Sequence, residues 1–191
     1  EAVPEHEYRT YDEDLDWRTA WDAVQRRGRG LTEPLLRLSV HPNSSINVAG
    51  GRAGLDVGER EGGVPDIIVI DYADILAPPQ GVQDTRDQIN TTWKQLRSLS
   101  QQQHTCVVTA TQSDANSYTA NTMSRGNFSD DRRKLDHVTA MIGINATAEE
   151  TELGVQRLNF VKRREDEYTE RRCCHVAGSF ALGNPAIRSV M

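Results

Sequence analysis

Between Val64 and Leu76 the chain runs "VPDIIVIDYADIL". A continuous apolar run rich in β-branched residues fits a strand buried on both faces of a parallel sheet better than the alternating pattern of a half-exposed strand. Asp66 opens the run and is explained by a loop cap. Asp71 closes it, with Asp74 three residues on. In an open parallel sheet the ligand crevice lies outside the carboxyl ends of the strands, and a carboxylate there suits a hydrated magnesium ion. On spacing alone, a turn cap explains Asp71 equally well.

Working outward, Pro78, Pro79 and Gly81 mark a loop, and "DTRDQINTTWKQLRSLSQQQ" then presents Asp84 as a helix cap and Ile89, Trp93, Leu96 and Leu99 as an apolar stripe at helical spacing. "TCVVTATQ" is a second buried strand, ending in Thr111 and Gln112. An amide at that point senses a phosphate or orients a water without adding charge. A polar tract from Ser113 to Asp131 follows, longer than the ~12 to 15 residues beyond which loops are usually functional or disordered. "DDRRK" then opens a helix with Asp130 or Asp131 near its N-terminus, and "TAMIGIN", "VQRLNFVKRR" and "CCHVAGSF" are further strands.

Upstream, "DLDWRTAWDAVQRR" (Asp14 to Arg27) spaces Leu15, Trp17, Trp21 and Val24 at helical intervals and is ended by Gly28 and Gly30. "LLRLSV" (Leu35 to Val40) is a short strand candidate, and Ser45 is a candidate cap for a helix from Ile46 to Glu61. Gly50, Gly51, Gly54 and Gly58 weaken that helix by about 1 kcal/mol each relative to alanine. Strand, helix, strand alternation implies an α/β fold with a mainly parallel sheet and helices on both faces. No internal repeat is present.

At 191 residues the chain suits one domain with a sizeable core. A net charge of −6 excludes a surface that is a general trap for nucleic acid, so any polyanion site is local. No apolar run reaches the ~18 residues of a membrane span, and the start lacks the basic-then-apolar order of a signal peptide, which points to the cytoplasm and away from membranes. Cys106, Cys173 and Cys174 do not form a disulfide framework; Cys173, Cys174 and His175 are the one weak metal candidate.

Taken in order, "PDIIVIDYADIL", "QINTTWKQLRSLSQQQHTCVVTATQSD", "DDRRKLDHVTAMIGIN" and "GVQRLNFVKRRE" resemble the RecA-like ATPase core of the DnaB-type replicative helicases, particularly phage forms, from about Leu35 to Ser189, which implies a C-terminal part of that domain over residues 35–191 with residues 1–34 as an N-terminal helical segment of the core. The resemblance implies that "IVIDY" is the Walker B strand, so that Asp71 supports Mg2+ and ATP, that Gln112 is the sensor, and that Lys162 and Arg164 are the piston and finger acting on the next subunit's ATP, with Arg163 a competitor for the finger role. It further implies a ring homo-oligomer, a hexamer, acting on single-stranded DNA alongside primase. Asn116, Tyr118, Arg125 and Asn127 would then be donors of a pore loop facing the DNA backbone.

The chain contains no G-x-x-x-x-G-K-[ST] phosphate loop. In the family that loop lies N-terminal to everything seen here, so the resemblance implies the C-terminal part of an ATPase, incomplete at its N-terminal side. Two other readings compete with the motor. One is a RecA-like scaffold or regulatory module in replication or recombination that turns over no ATP. The other is a phosphoesterase site formed by Asp71, Asp74 and His104, opposed by the placement of His104 at the far end of the sheet.

Overall fold

The computed structural model describes residues 36–60, 62–113, 122–127, 132–179 and 184–190, together with Arg18, Asp22 and Arg26. Those three isolated residues are helical and exposed; the remainder of the expected helix from Asp14 to Arg27 lies outside the described residues.

Helix α1 (Val48–Arg60) forms despite its glycines. Its cap is Asn47, whose Oδ1 accepts from Gly50 N at 2.9 Å, and not Ser45, whose hydroxyl turns back to the Pro42 carbonyl at 2.6 Å. At Gly58 the Arg37 guanidinium occupies the place a side chain would need. Strand β1 (Ile67–Ile70) leads through a short 3-10 turn (Ala73–Ile75) and the proline loop to helix α2 (Thr85–Gln103). Asp84 caps α2 as its spacing suggests, accepting from Asp87 N at 3.0 Å. The stripe is the core: Trp93, Leu96 and Leu99 are buried with Val48 and Ala73, and Ile89, Ile68, Ile70 and Val107 pack against them.

Strand β2 (Cys106–Thr109) pairs with β1 in parallel, Ile67 opposite Cys106 and Ile70 opposite Thr109. The β1–α2–β2 crossover is the parallel unit that the sequence pattern calls for. Beyond it the pairing changes. Helix α3 (Arg133–His137) precedes β3 (Ala140–Asn145), and a five-residue helix α4 (Ala148–Glu152), closed by a Thr147–Glu150 capping box, turns the chain straight back into β4 (Val155–Arg163). So short a connection cannot make a parallel crossover. Strands β3, β4, β5 (Cys173–Ser179) and β6 (Asn184–Val190) form an antiparallel sheet in that order. Thus the parallel part among the described residues is the β1–β2 pair, and the expected run of βαβ units ends at β2.

Two further expectations are corrected. Residues 36–40 adopt no strand; Leu36, Leu38 and Val40 are exposed, because no neighbouring strand among the described residues offers them a ladder. Strand β6 carries no strand signal in "NPAIRSV", but it is the outermost strand of its sheet, where a proline is tolerated.

Both sheets turn one face to the helices. Leu135, Met141 and Val161 form a second buried cluster, and Val138 packs against both clusters, so β1–β2 and β3–β4 face the same α2–α3 layer. On the opposite faces Ile67 is 59% and Val69 72% exposed, and Val108, Ile142, Ile144 and Phe160 are exposed as well.

Candidate functional site

Because β1 and β2 run parallel in register, their carboxyl ends emerge side by side. Asp71 follows the last pair, Ile70 opposite Thr109, by one residue, and Gln112 follows it by three. Both side chains are exposed, and neither has a hydrogen-bond or ion-pair partner among the described residues. A single open carboxylate beside a neutral amide fits a Mg2+ ion that retains most of its waters. Among the described residues no group of three or more His, Cys, Asp or Glu side chains could hold a metal, which removes the Cys173–Cys174–His175 candidate. It also removes the phosphoesterase triad: His104 terminates α2 in a left-handed conformation at the amino end of β2, away from Asp71.

Asp74 has a different task. Its Oδ2 accepts from Thr111 Oγ1 at 2.5 Å and from Lys134 Nζ at 2.9 Å, while Oδ1 accepts from Trp93 Nε1 at 3.2 Å. Lys134 Nζ also donates to Thr111 Oγ1 at 2.9 Å and stands 5.7 Å from the centre of the Trp93 ring. The pair is mostly enclosed, with side-chain exposures of 10% for Lys134 and 19% for Asp74. Next to it, Thr109 Oγ1 donates to the Ile70 carbonyl at 2.8 Å and accepts from Ala73 N at 2.9 Å. The second carboxylate of "IDYAD" therefore locks the two strand ends together. Nothing in "DDRRK" distinguishes Lys134 from the charges around it, so sequence patterning misses it; an unpaired-looking Asp74 four residues beyond the strand was the available signal.

Lys162 and Arg164 come together on α3. Lys162 Nζ donates to the Leu135 carbonyl, and Arg164 Nη2 donates to the Asp136 carbonyl at 2.7 Å. These are carbonyls that a five-residue helix leaves without intrahelical partners. Burial, and secondarily the Arg164 charge, hold the Lys162 ammonium below the ordinary lysine range. Arg163 faces elsewhere, paired with Asp166 and lying 5.4 Å from the centre of the Phe160 ring. The reason is a register shift in the β3–β4 ladder: Met141 pairs with Lys162 and Ile142 with Phe160, leaving Val161 as an extra residue. Such a bulge re-aims the following side chains, so Lys162 and Arg164 share the helix-facing side and Arg163 does not.

Of the expected loop donors, Asn116 and Tyr118 lie outside the described residues. Arg125 is exposed but engaged by its own chain, donating to Tyr168 Oη and pairing with Glu170 at 3.7 Å. Asn127 is buried, its Oδ1 accepting from Ser124 N at 2.8 Å. The two described residues thus shape the end of the loop. Met123 is fastened to the sheet beside them by Asn145, whose Oδ1 accepts from Met123 N at 2.6 Å, and by Asn159, whose Nδ2 donates to Met123 O at 2.8 Å.

No family model and no curated protein matches the sequence. Solved structures do. A solved ATPase domain superposes with a TM-score of 0.70 at 13% identity, covering 91% of this chain and 60% of that one. A DnaB-like replicative helicase, solved for its interactions with primase, superposes with a TM-score of 0.69 at 11% identity, covering 90% of this chain and 42% of that one. The chain shares the fold of these two structures, an α/β fold of the RecA-like kind. At such identities the likeness concerns the fold, and the chain spans less than two thirds of either structure. The Asp71 and Gln112 strand ends lie at the carboxyl edge of the parallel pair. Among the described residues no helix is long and apolar enough to cross a membrane.

Proposed function

We propose that the chain is the C-terminal part of the motor domain of an ATP-dependent, ring-forming DNA helicase of DNA replication, at work in a bacterial or phage-infected cytoplasm. The observation that carries this reading is the juxtaposition of Asp71 and Gln112 at the ends of two parallel strands, in a fold shared with ATPase domains. Asp71 would hold Mg2+, which supplies charge neutralisation to the phosphates of bound ATP. Gln112 would form or lose a hydrogen bond with the terminal phosphate and pass that difference to the loop that starts at Ser113. Lys162 and Arg164 share one side of β4 and would reach the nucleotide of the next subunit in a homo-oligomeric ring, a hexamer; Arg163, on the other side, is a poorer finger. Single-stranded DNA and primase are the partners this reading implies. The phosphate-binding loop would come from a part of the ATPase not contained in these 191 residues.

In an ATPase that includes that loop, Gln112→Ala leaves ATP binding nearly intact and uncouples hydrolysis from DNA. ATPase assays with and without single-stranded DNA test this; equal stimulation of variant and parent would overturn the sensor role.

A further inference from the structure

Lysine is almost never enclosed unless it is paired, and Lys134 is both enclosed and paired, in a helix of one and a half turns whose adjacent Arg133 pairs with Asp87 at its partly exposed outer side. Its ammonium meets three things at once: the Asp74 carboxylate, the Thr111 hydroxyl and the face of Trp93. Asp74 follows Asp71 by three residues, and Thr111 is the residue before Gln112. The backbone ladder stops at Ile70 and Thr109. Beyond that point, the separation of the two functional side chains is set by the Asp74–Thr111–Lys134 contacts, with Thr109 supporting them from below. An apolar side chain of the same length would fill the space without defining these angles. On its other side, the same helix carries the Leu135 and Asp136 carbonyls that receive Lys162 and Arg164.

We propose that Lys134 is a positioning residue that fixes Gln112 relative to Asp71, and that α3 conveys to this point any displacement of Lys162 and Arg164. The functional meaning rests on the ATPase reading; the positioning does not. A helix this short moves as a unit, so movement of its carbonyl end is movement of Lys134.

The test is amide hydrogen exchange by NMR on the 191-residue chain. Lys134→Met speeds exchange at Ala73, whose amide donates to Thr109 Oγ1, about tenfold and shifts the Thr111 and Gln112 amide resonances while leaving Leu158 to Val161 of β4 unchanged, the signature of a local opening. Thr111→Val repeats the pattern, and Thr111→Ser, which keeps the hydroxyl, does not. Equal acceleration throughout the chain, or none at the strand ends, would overturn the proposal. If Lys134→Met does not fold, Asp74→Asn with Lys134→Met removes the unpaired carboxylate and is judged by the same pattern. In an ATPase that includes the phosphate loop, Lys134→Met lowers DNA stimulation at least fivefold with KM for ATP unchanged. A local exchange pattern with a silent Gln112→Ala would sink the ATPase reading and spare the positioning; DNA coupling lost in Gln112→Ala but kept in Lys134→Met would do the reverse.

Discussion

Gly143 shows how narrowly one residue constrains this chain. It sits in β3 opposite Asn159, and a Cβ added there would lie 2.6 Å from Asn159 Oδ1, 2.9 Å from Met123 Cβ and 3.2 Å from Val161 Cγ2. That Asn159 oxygen accepts from Asn145 Nδ2 at 2.9 Å, and the two amides together hold Met123, the return point of the loop after Gln112. Gly143→Ala therefore must displace a satisfied buried amide or the loop anchor. Overpacking of this kind costs about 2 kcal/mol, and chemical denaturation of the variant is expected to show it. A parental midpoint would mean that the Asn145–Asn159 pair has more freedom than its four hydrogen-bonded neighbours suggest. Removal of one partner of the Asp74–Lys134 pair belongs to the same class of residue effect, since it leaves an uncompensated charge in an enclosed place.

At the scale of elements, α2 and α3 meet through His137, whose Nε2 donates to Asn90 Oδ1 at 2.8 Å. Burial holds the imidazole below its usual value; Asp136, the next-largest influence, opposes it, and smaller effects of Lys94, Lys162 and Arg164 add to the lowering. The unfolded chain, with an ordinary histidine pKa of about 6.5, therefore binds the proton more readily than the folded one. Stability is full above that value, falls as pH drops from it towards the lower folded pKa, and levels off below. His137→Gln is expected to flatten the decline between about pH 7 and pH 5 in urea denaturation, because the amide can still donate to Asn90 but does not titrate. An unchanged pH profile would place the acid sensitivity elsewhere. Element identity and element partner are separate matters here: α2 follows from its cap and stripe, whereas residues 36–40 form no strand and stay exposed, with no ladder to join among the described residues.

Over the whole molecule, the two sheets share a helical layer on one side and expose apolar side chains on the other, including Ile67, Val69, Ile142 and Ile144. A parallel pair normally has both faces covered, and wide exposed apolar surfaces drive association. Concentration-dependent self-association of the 191-residue chain is therefore expected, and Val69→Lys with Ile144→Lys should reduce it without loss of helical content. Sedimentation measurements that find parent and variant equally monomeric would contradict this.

What the sequence determined by itself was local and periodic. The β-branched run at Ile67 to Ile70, the Asp84 cap and the Trp93 stripe specify a βαβ unit, and chain order alone sets Asp71 and Gln112 at its carboxyl edge, because parallel strands in register must end together. What only the tertiary structure decided depended on which distant groups meet. The antiparallel pairing of β3 to β6 rests on a short connection and on an outer strand with no signal of its own. That Lys162 and Arg164 face α3 and Arg163 does not, instead of the reverse, rests on one unpaired residue, Val161, which shifts the phase of a strand that looks regular in sequence. The role of Asp74 rests on Lys134, sixty residues away. Periodicity reports how a segment is solvated along its own length, but a charge becomes a structural partner only when folding encloses it beside its opposite, and that information lies in the packing of α3 against the strand ends.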